Sequence, residues 1–261
     1  MNLNLIGKRA LVCGSTQGIG KAAAIELALL GAAITLMARN EEMLRKTVLE
    51  LPNPHAQEHE YIVADFNFPD LVKTTIESYP KKSTISILVN NTGGPSGGHI
   101  VEASPEAFLS AFNSHLLCSH HLVQALMQGM KEGGYGRIIN VISTSVKIPI
   151  RGLGVSNTIR GAVASWSKTL SLELAAFGIT VNNVLPGTTM TARLDYVMRN
   201  TAAKSGKTFE EVKAEMIAQI PLGRISTPEE VGSVVAFLAS PAAGYINGTN
   251  IPVDGGRTGS M

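Results

Sequence analysis

The sequence predicts an α/β fold, a doubly wound parallel sheet in one domain spanning residues 1–261. Short apolar runs of strand character alternate with longer helical segments along the whole chain, the pattern of β-α units. The first run, residues 10–13, turns through Gly14-Ser15-Thr16-Gln17-Gly18-Ile19-Gly20 into a helical segment at 21–28. No Pro/Ser-rich spacer, repeat or block of like charge marks a place where a second domain would begin.

The glycine turn is the element with the most direct chemical meaning. Glycines let the backbone turn tightly and approach a ligand with no Cβ in the way. The first amides of the helix that follows have no internal partners, and the helix dipole adds positive potential there. A phosphate fits that place, and the strand before and helix after supply the context a nucleotide fingerprint requires.

Taken in order, Gly31 reads as a helix C-cap, and residues 33–38 as a second buried strand. Asn40 then caps a helix with Glu41 and Glu42 in its first turn. The tip of this second strand is where a dinucleotide's adenosine ribose would lie. Arg39 stands there instead of an acid. A guanidinium suits a 2′-phosphate, so the expected cofactor is NADP(H), with NAD as the alternative. Gln17 offers no second positive charge to strengthen that preference.

Residues 61–64 form a third strand ending at Asp65, which either holds an adenine amino group or caps the next turn. Residues 85–89 form a fourth, opening into Asn90-Asn91-Thr92-Gly93-Gly94-Pro95. Pro105, Phe108, Phe112, Leu116 and Leu117 mark a long amphipathic helix. Asn113 lies on it, with His115, His120 and His121, which read as surface or interface residues and not as metal ligands. Residues 137–142 form a fifth strand followed by Ser143. A helix over about 156–176 closes at Gly178, and a sixth strand at 180–185 stops at Pro186-Gly187. Residues 188–226 form an excursion with helical patterning, an apolar lid carrying Met190, Leu194, Tyr196, Val197 and Met198. Pro228 starts another helix, and 250–253 is a seventh strand.

Composition narrows the function. Apolar residues make up 44% and charged residues 16%, which suits a large core or buried subunit contacts. A net charge of +2 argues against nucleic-acid binding. Cys13 and Cys118 form neither a disulfide framework nor a metal site, and Cys13 reads as an inert core thiol. No apolar run reaches membrane-spanning length and no signal-type segment precedes the first strand, so the expectation is a cytoplasmic protein with no membrane partner.

Several linked motifs together resemble the short-chain dehydrogenase/reductase family. They are Gly14-x-x-x-Gly18-Ile19-Gly20, Asn90-Asn91-Thr92-Gly93, Leu185-Pro186-Gly187 and Val253-Asp254-Gly255-Gly256. Phe237-Leu238-Ala239-Ser240-Pro241 and Ile246-Asn247-Gly248-Thr249 fall between the last two, and the length is most similar to β-ketoacyl carrier-protein reductases. The resemblance implies a Rossmann-like, seven-stranded parallel sheet. It puts Gly14, Ser15, Gly18, Ile19 and Gly20 around a pyrophosphate, Asp65 at the adenine, and Asn91 and Gly93 near a ribose. Pro186, Gly187, Thr188 and Thr191 would frame the nicotinamide. It also implies a homotetramer or homodimer assembled through the helices that carry Asn113 and Ser156. Thr92 in place of the usual Ala is a minor departure.

One departure bears on mechanism. The family's catalytic set is Asn, Ser, Tyr and Lys; Asn113 and Ser143 match the first two. Ser156 and Arg160 fall where Tyr and Lys are expected. A phenol beside an ammonium can protonate a carbonyl oxygen; serine is a far weaker acid, and Arg stays charged and cannot relay a proton. Positioned acid–base groups contribute roughly 10²–10⁴-fold, about 3–5 kcal/mol of barrier. Two readings follow from this. One is an NADP(H)-dependent reductase of a 3-oxoacyl-type carbonyl, or of the corresponding alcohol, with altered proton delivery. The other is a catalytically silent nucleotide-binding sensor or partner subunit. Lys147, Arg151 and Tyr196 are the candidate surrogate acids.

Overall fold

The computed structural model describes residues 1–79 and 84–259. Its first strand is β1 (Arg9–Cys13), buried from Ala10 onward, as an unbroken apolar run requires when helices cover both faces. Around it lie β2 (Ala33–Ala38), β3 (Glu60–Val63), β4 (Ile85–Asn90), β5 (Gly136–Val141), β6 (Ile179–Pro186) and β7 (Asn250–Val253). They form one sheet in the order β3-β2-β1-β4-β5-β6-β7. Every pairing is parallel. The direction of winding reverses between β1 and β4, and that switch point opens a crevice at the strands' C-terminal ends.

The helices are α1 (Gly18–Leu29), α2 (Glu41–Glu50), α3 (Pro69–Ser78), α4 (Pro105–Phe112), α5 (Cys118–Glu132), α6 (Gly154–Leu174), α7 (Ala192–Ser205), α8 (Phe209–Ala218) and α9 (Pro228–Ala239). One core layer joins Leu27 of α1, Leu44 of α2 and Val235 of α9 to Leu36 and Ile87 of the sheet. The other joins Val72 of α3, Leu122 of α5 and Leu174 of α6 to Leu11, Leu88 and Ile138. The caps read from sequence form as expected. Asn40 Oδ1 accepts from Met43 N at 3.0 Å, and Gly178 sits at φ 73° after a 3₁₀ turn over Ala175–Phe177.

Two elements differ from the sequence expectation. The helix from Pro105 is interrupted by a π turn, Asn113–Leu117, between α4 and α5. Such a turn opens the backbone ladder locally and turns side chains that a regular helix would spread around its axis. The lid over 188–226 folds as α7 and α8, and these pack on each other: Met198, Ala202 and Val212 are buried with Leu194, Phe209 and Met216 against them. Met198 therefore faces the lid's own interior. Tyr196 is exposed at 62%, not packed.

A row of asparagines crosses four neighbouring strands. Asn90, Asn140, Asn183 and Asn250 are register partners in turn. Asn90 Nδ2 donates to Asn140 Oδ1 at 2.8 Å, Asn140 Nδ2 to Asn183 Oδ1 at 3.0 Å, and Asn183 Nδ2 to Asn250 Oδ1 at 2.8 Å. Asn140 Nδ2 also lies 3.1 Å from Ser167 Oγ of α6. Asn140→Ala would orphan buried amides on both sides, at roughly 1–3 kcal/mol for each partner left unsatisfied. Denaturant unfolding is expected to show a lower midpoint with an unchanged slope.

Candidate active site

The glycine turn is built around a close approach. A Cβ at Gly14, whose φ is 57°, would stand 2.6 Å from the Asn91 carbonyl oxygen, and one at Gly20 would collide with the Gly14 carbonyl. Asn91 Nδ2 donates to the Cys13 and Gly14 carbonyls at 3.3 and 3.2 Å, tying the end of β4 to the end of β1. Ser15 Oγ accepts from Met37 N at 3.1 Å, so this buried hydroxyl braces the turn against β2. Gln17 at the N-cap of α1 makes no side-chain cap, which leaves the first-turn amides open to an anion. Across the turn, Thr191 Cγ2 lies 3.3 Å from where a Gly18 Cβ would be. A Gly93 Cβ would point into open space. A crevice of this shape, with uncapped amides on one wall and Cβ-free backbone on another, fits a dinucleotide.

The far wall is the end of β6. Gly187 lies against Asp254, whose Cβ would be 2.6 Å from a Gly187 Cβ, and Gly187 N donates to Val253 O at 2.9 Å. Pro186 ends the strand, and the Thr188 hydroxyl accepts from Arg257 at 3.2 Å. Thr191 Oγ1 caps α7 by accepting from Leu194 N. Arg39 is exposed directly after β2. Asp65 Oδ1 accepts from Asn67 N at 2.9 Å, so of the two roles left open the turn-capping one is visible here.

Ser143 follows β5, and its Oγ accepts from Ser145 N at 3.1 Å. That leaves the hydroxyl proton to be donated elsewhere. Asn113 opens the π turn, and α6 packs on that turn and on the 3₁₀ turn after Ser143. The first turn of α6 carries Ser156, and one turn on Arg160 runs inward. Arg160 is buried, with Nη1 donating to Val141 O at 3.0 Å at the end of β5. Its Nη2 lies 3.9 Å from a Gly94 Cβ position, and Nη2 of Arg193 lies 3.8 Å from the same point. Arg193 comes from α7 and donates to Pro95 O at 2.6 Å. Burial and the nearby Arg193 lower the Arg160 pKa to about 10, so it remains a cation at neutral pH.

A relative 32% identical, the 3-oxoacyl-[acyl-carrier-protein] reductase FabG of Haemophilus influenzae, aligns over 96% of this chain and 98% of its own length. A family model described as enoyl-(acyl carrier protein) reductase matches residues 14–258. The chain belongs to the short-chain dehydrogenase/reductase family. Two solved structures share the fold. L-Sorbose reductase from Gluconobacter frateurii, complexed with NADPH and L-sorbose, superposes with a TM-score of 0.93 at 28% identity over 100% of both chains. A single-residue variant of actinorhodin polyketide ketoreductase, described with NADPH, gives 0.88 at 30% identity over 97% of this chain and 98% of that one.

In this short-chain dehydrogenase/reductase the tyrosines have other partners than Ser143 or face solvent. Tyr61 donates to Glu41, Tyr79 to Glu60 and Tyr135 to the Ala239 carbonyl, and Tyr196 and Tyr245 are exposed. His115 corrects the sequence expectation of a surface or interface residue. It is 4% exposed, and its Nδ1 shares a hydrogen bond with Thr92 Oγ1. The link joins the π turn to the loop after β4, so the Thr92 departure is one half of a buried pair. Arg193 gives no local signal in the sequence of its place beside Gly94. No group of three or more potential metal ligands occurs among the described residues. No helix among them is long and apolar enough to cross a membrane. Cys13 is fully buried, which pushes its thiol pKa up and agrees with an inert core thiol.

Burial, with Arg160 and Arg193 nearby, pulls the His115 pKa from 6.5 down to about 2. The folded protein keeps it neutral while the unfolded chain takes up a proton below 6.5. Its contribution to stability is therefore complete above that pH and lost as pH falls through it toward 2. The limiting slope for one proton is about 1.4 kcal/mol per pH unit. His115→Asn should flatten the acid limb of a stability–pH curve measured by denaturant unfolding between pH 7 and 4.

Proposed function

We propose that this chain is an NADP(H)-dependent oxidoreductase of the cytoplasm. It would interconvert a 3-oxoacyl-type carbonyl and its alcohol by hydride transfer, with water as the proton source in place of a phenol. The observation that carries this reading is the glycine turn held under the uncapped start of α1 by Asn91 and faced across the crevice by Thr191. In support, the similar L-sorbose reductase and polyketide ketoreductase are described with NADPH.

In this reading Gly14, Ser15, Gln17, Gly18, Ile19 and Gly20 hold the pyrophosphate by backbone amides. Arg39 pairs with the 2′-phosphate, Asp65 lies at the adenine, and Asn91 and Gly93 lie along the ribose. Pro186, Gly187, Thr188 and Thr191 bound the nicotinamide. When bound, NADPH would supply the hydride that reduces the carbonyl carbon. Ser143 donates its free hydroxyl proton as a hydrogen bond to the carbonyl oxygen, where negative charge gathers. Asn113, which opens the π turn on which α6 packs, stands in this reading as the first member of the catalytic set. Ser156 and Arg160 occupy the positions of the family's Tyr and Lys. Neither can give up a proton at neutral pH, and neutral His115 is bound to Thr92, so the proton enters from solvent. Leu109 and Phe112 of α4 and Leu172 of α6 are exposed apolar residues, and they support assembly into a homotetramer or homodimer through these helices.

NADPH oxidation measured against a panel of ketones and 3-oxo esters, beside an NADPH binding titration, tests the reading. Turnover is expected to be slow but measurable. Ser143→Ala should lower kcat by about 10²-fold with NADPH affinity unchanged. Uptake of NADPH with no turnover on any substrate would leave a nucleotide-binding protein, and failure to take up the cofactor would remove the reading altogether.

In a separate experiment, Arg39→Asp should weaken NADPH binding by about tenfold or more and leave NADH binding in place, as a charge-assisted phosphate contact requires. The double change Ser156→Tyr/Arg160→Lys should raise kcat by roughly 10²-fold or more, because it restores a positioned acid.

A further inference from the structure

Arg160 and Arg193 come from different helices, α6 and α7, and converge on one point. Both Nη2 atoms lie within 4 Å of the Cβ position of Gly94. Each guanidinium makes a hydrogen bond to a backbone carbonyl, Arg160 to Val141 O and Arg193 to Pro95 O. A guanidinium carries five N–H donors, so most of each fork is left for another acceptor. The ion pairs found among the described residues, Arg9–Glu60, Lys21–Glu50, Arg45–Glu41, Lys46–Glu50, Arg199–Asp195, Lys207–Glu215, Lys213–Glu210 and Arg224–Glu230, include neither of them. The one histidine that senses both, His115, is held neutral and adds no negative charge.

Two like charges brought together with one of them buried are costly unless something of opposite sign joins them. Among the described residues no ion pair supplies that charge. Gly94 leaves room for it, since a side chain there would stand in van der Waals contact with both forks. The place is also chemically significant. Arg160 hangs from the end of β5, two residues before Ser143, and Arg193 follows Thr191 on the lid. An anion seated between the forks would lie in the same crevice as the Ser143 hydroxyl.

We infer that Arg160 and Arg193 form an oxyanion subsite that binds a carboxylate or phosphoryl group of a ligand in the crevice. The source of the anion is either the carbonyl substrate itself, a free 3-oxo acid being the fitting class, or a phosphate of the cofactor. The choice between those sources rests on the reductase reading above; the convergence of the two guanidiniums does not. Arg193 reaches the site from the lid while bonding to Pro95, so the same anion would also tie α7 to the loop after β4.

The test uses sodium malonate as the probe, titrated into the full chain by calorimetry, with sodium chloride at matched ionic strength as the control. Arg193→Gln is the informative variant because the side chain is exposed and its loss leaves the core intact. Arg193→Lys, which keeps the charge and loses the fork, is the conservative companion. Saturable malonate binding is expected in the native chain, weakened about tenfold or more in Arg193→Gln and partly restored in Arg193→Lys. No saturable binding, or equal binding in the native chain and Arg193→Gln, would overturn the subsite. Repeating the titration at saturating NADPH separates the sources. Malonate binding that persists assigns the subsite to substrate, and acetoacetate should then be reduced at a kcat/KM at least tenfold above ethyl acetoacetate, a preference that Arg193→Gln removes. Competition between malonate and NADPH assigns the subsite to the cofactor's phosphate. If malonate binds and NADPH does not, the subsite stands and the reductase reading falls. If NADPH binds and malonate does not, the reverse holds.

Discussion

The asparagine row across β4, β5, β6 and β7 is the constraint on which the crevice depends. A parallel strand buried on both faces has no alternation of polar and apolar residues to set its register. Four amides placed side by side supply that register, because a shift of one residue would leave the buried Asn90, Asn140 and Asn183 unpaired. Asn90, Asn140, Asn183 and Asn250 sit at one level of the sheet. Asn91, Ser143, Pro186 and Asp254 follow within a few residues and so emerge together at the same edge. The polar row and the shared edge at which these residues emerge are two consequences of one alignment.

Electrostatics gives the crevice its second defining feature. Positive potential collects from three directions: the uncapped start of α1, the buried Arg160 fork and the Arg193 fork from the lid. His115 beside them is neutral, since burial and two nearby cations oppose its protonation. A cleft of this kind holds anions and stabilises charge that builds on an oxygen, and it offers few groups able to release a proton at neutral pH.

Much of this is visible in the chain because the signals are local. The glycine turn, the Asn40 cap, the strand over residues 33–38 and Gly178 each depend on neighbours within a few residues, and each forms where expected. The lid is legible as helical but not in its packing. Met198 and Val212 have the same hydrophobic pattern whether they face a ligand or each other, and only the turn between α7 and α8 chooses the second. The π turn is hidden because the Phe108, Phe112 and Leu116 spacing suits a continuous helix. His115 escapes a sequence reading because its buried partner, Thr92, lies 23 positions away on another element.

By itself the sequence determined the α/β class, the succession of strands and helices, and the glycine turn, because backbone conformational preference and hydrophobic period act over a turn or two of chain. The tertiary structure alone decided that Asn90 through Asn250 would form one row, that His115 would be buried against Thr92, and that Arg160 and Arg193 would meet beneath Gly94. Those pairings join elements tens of residues apart, and their energies exist only once the sheet has closed and water has been excluded from between the partners.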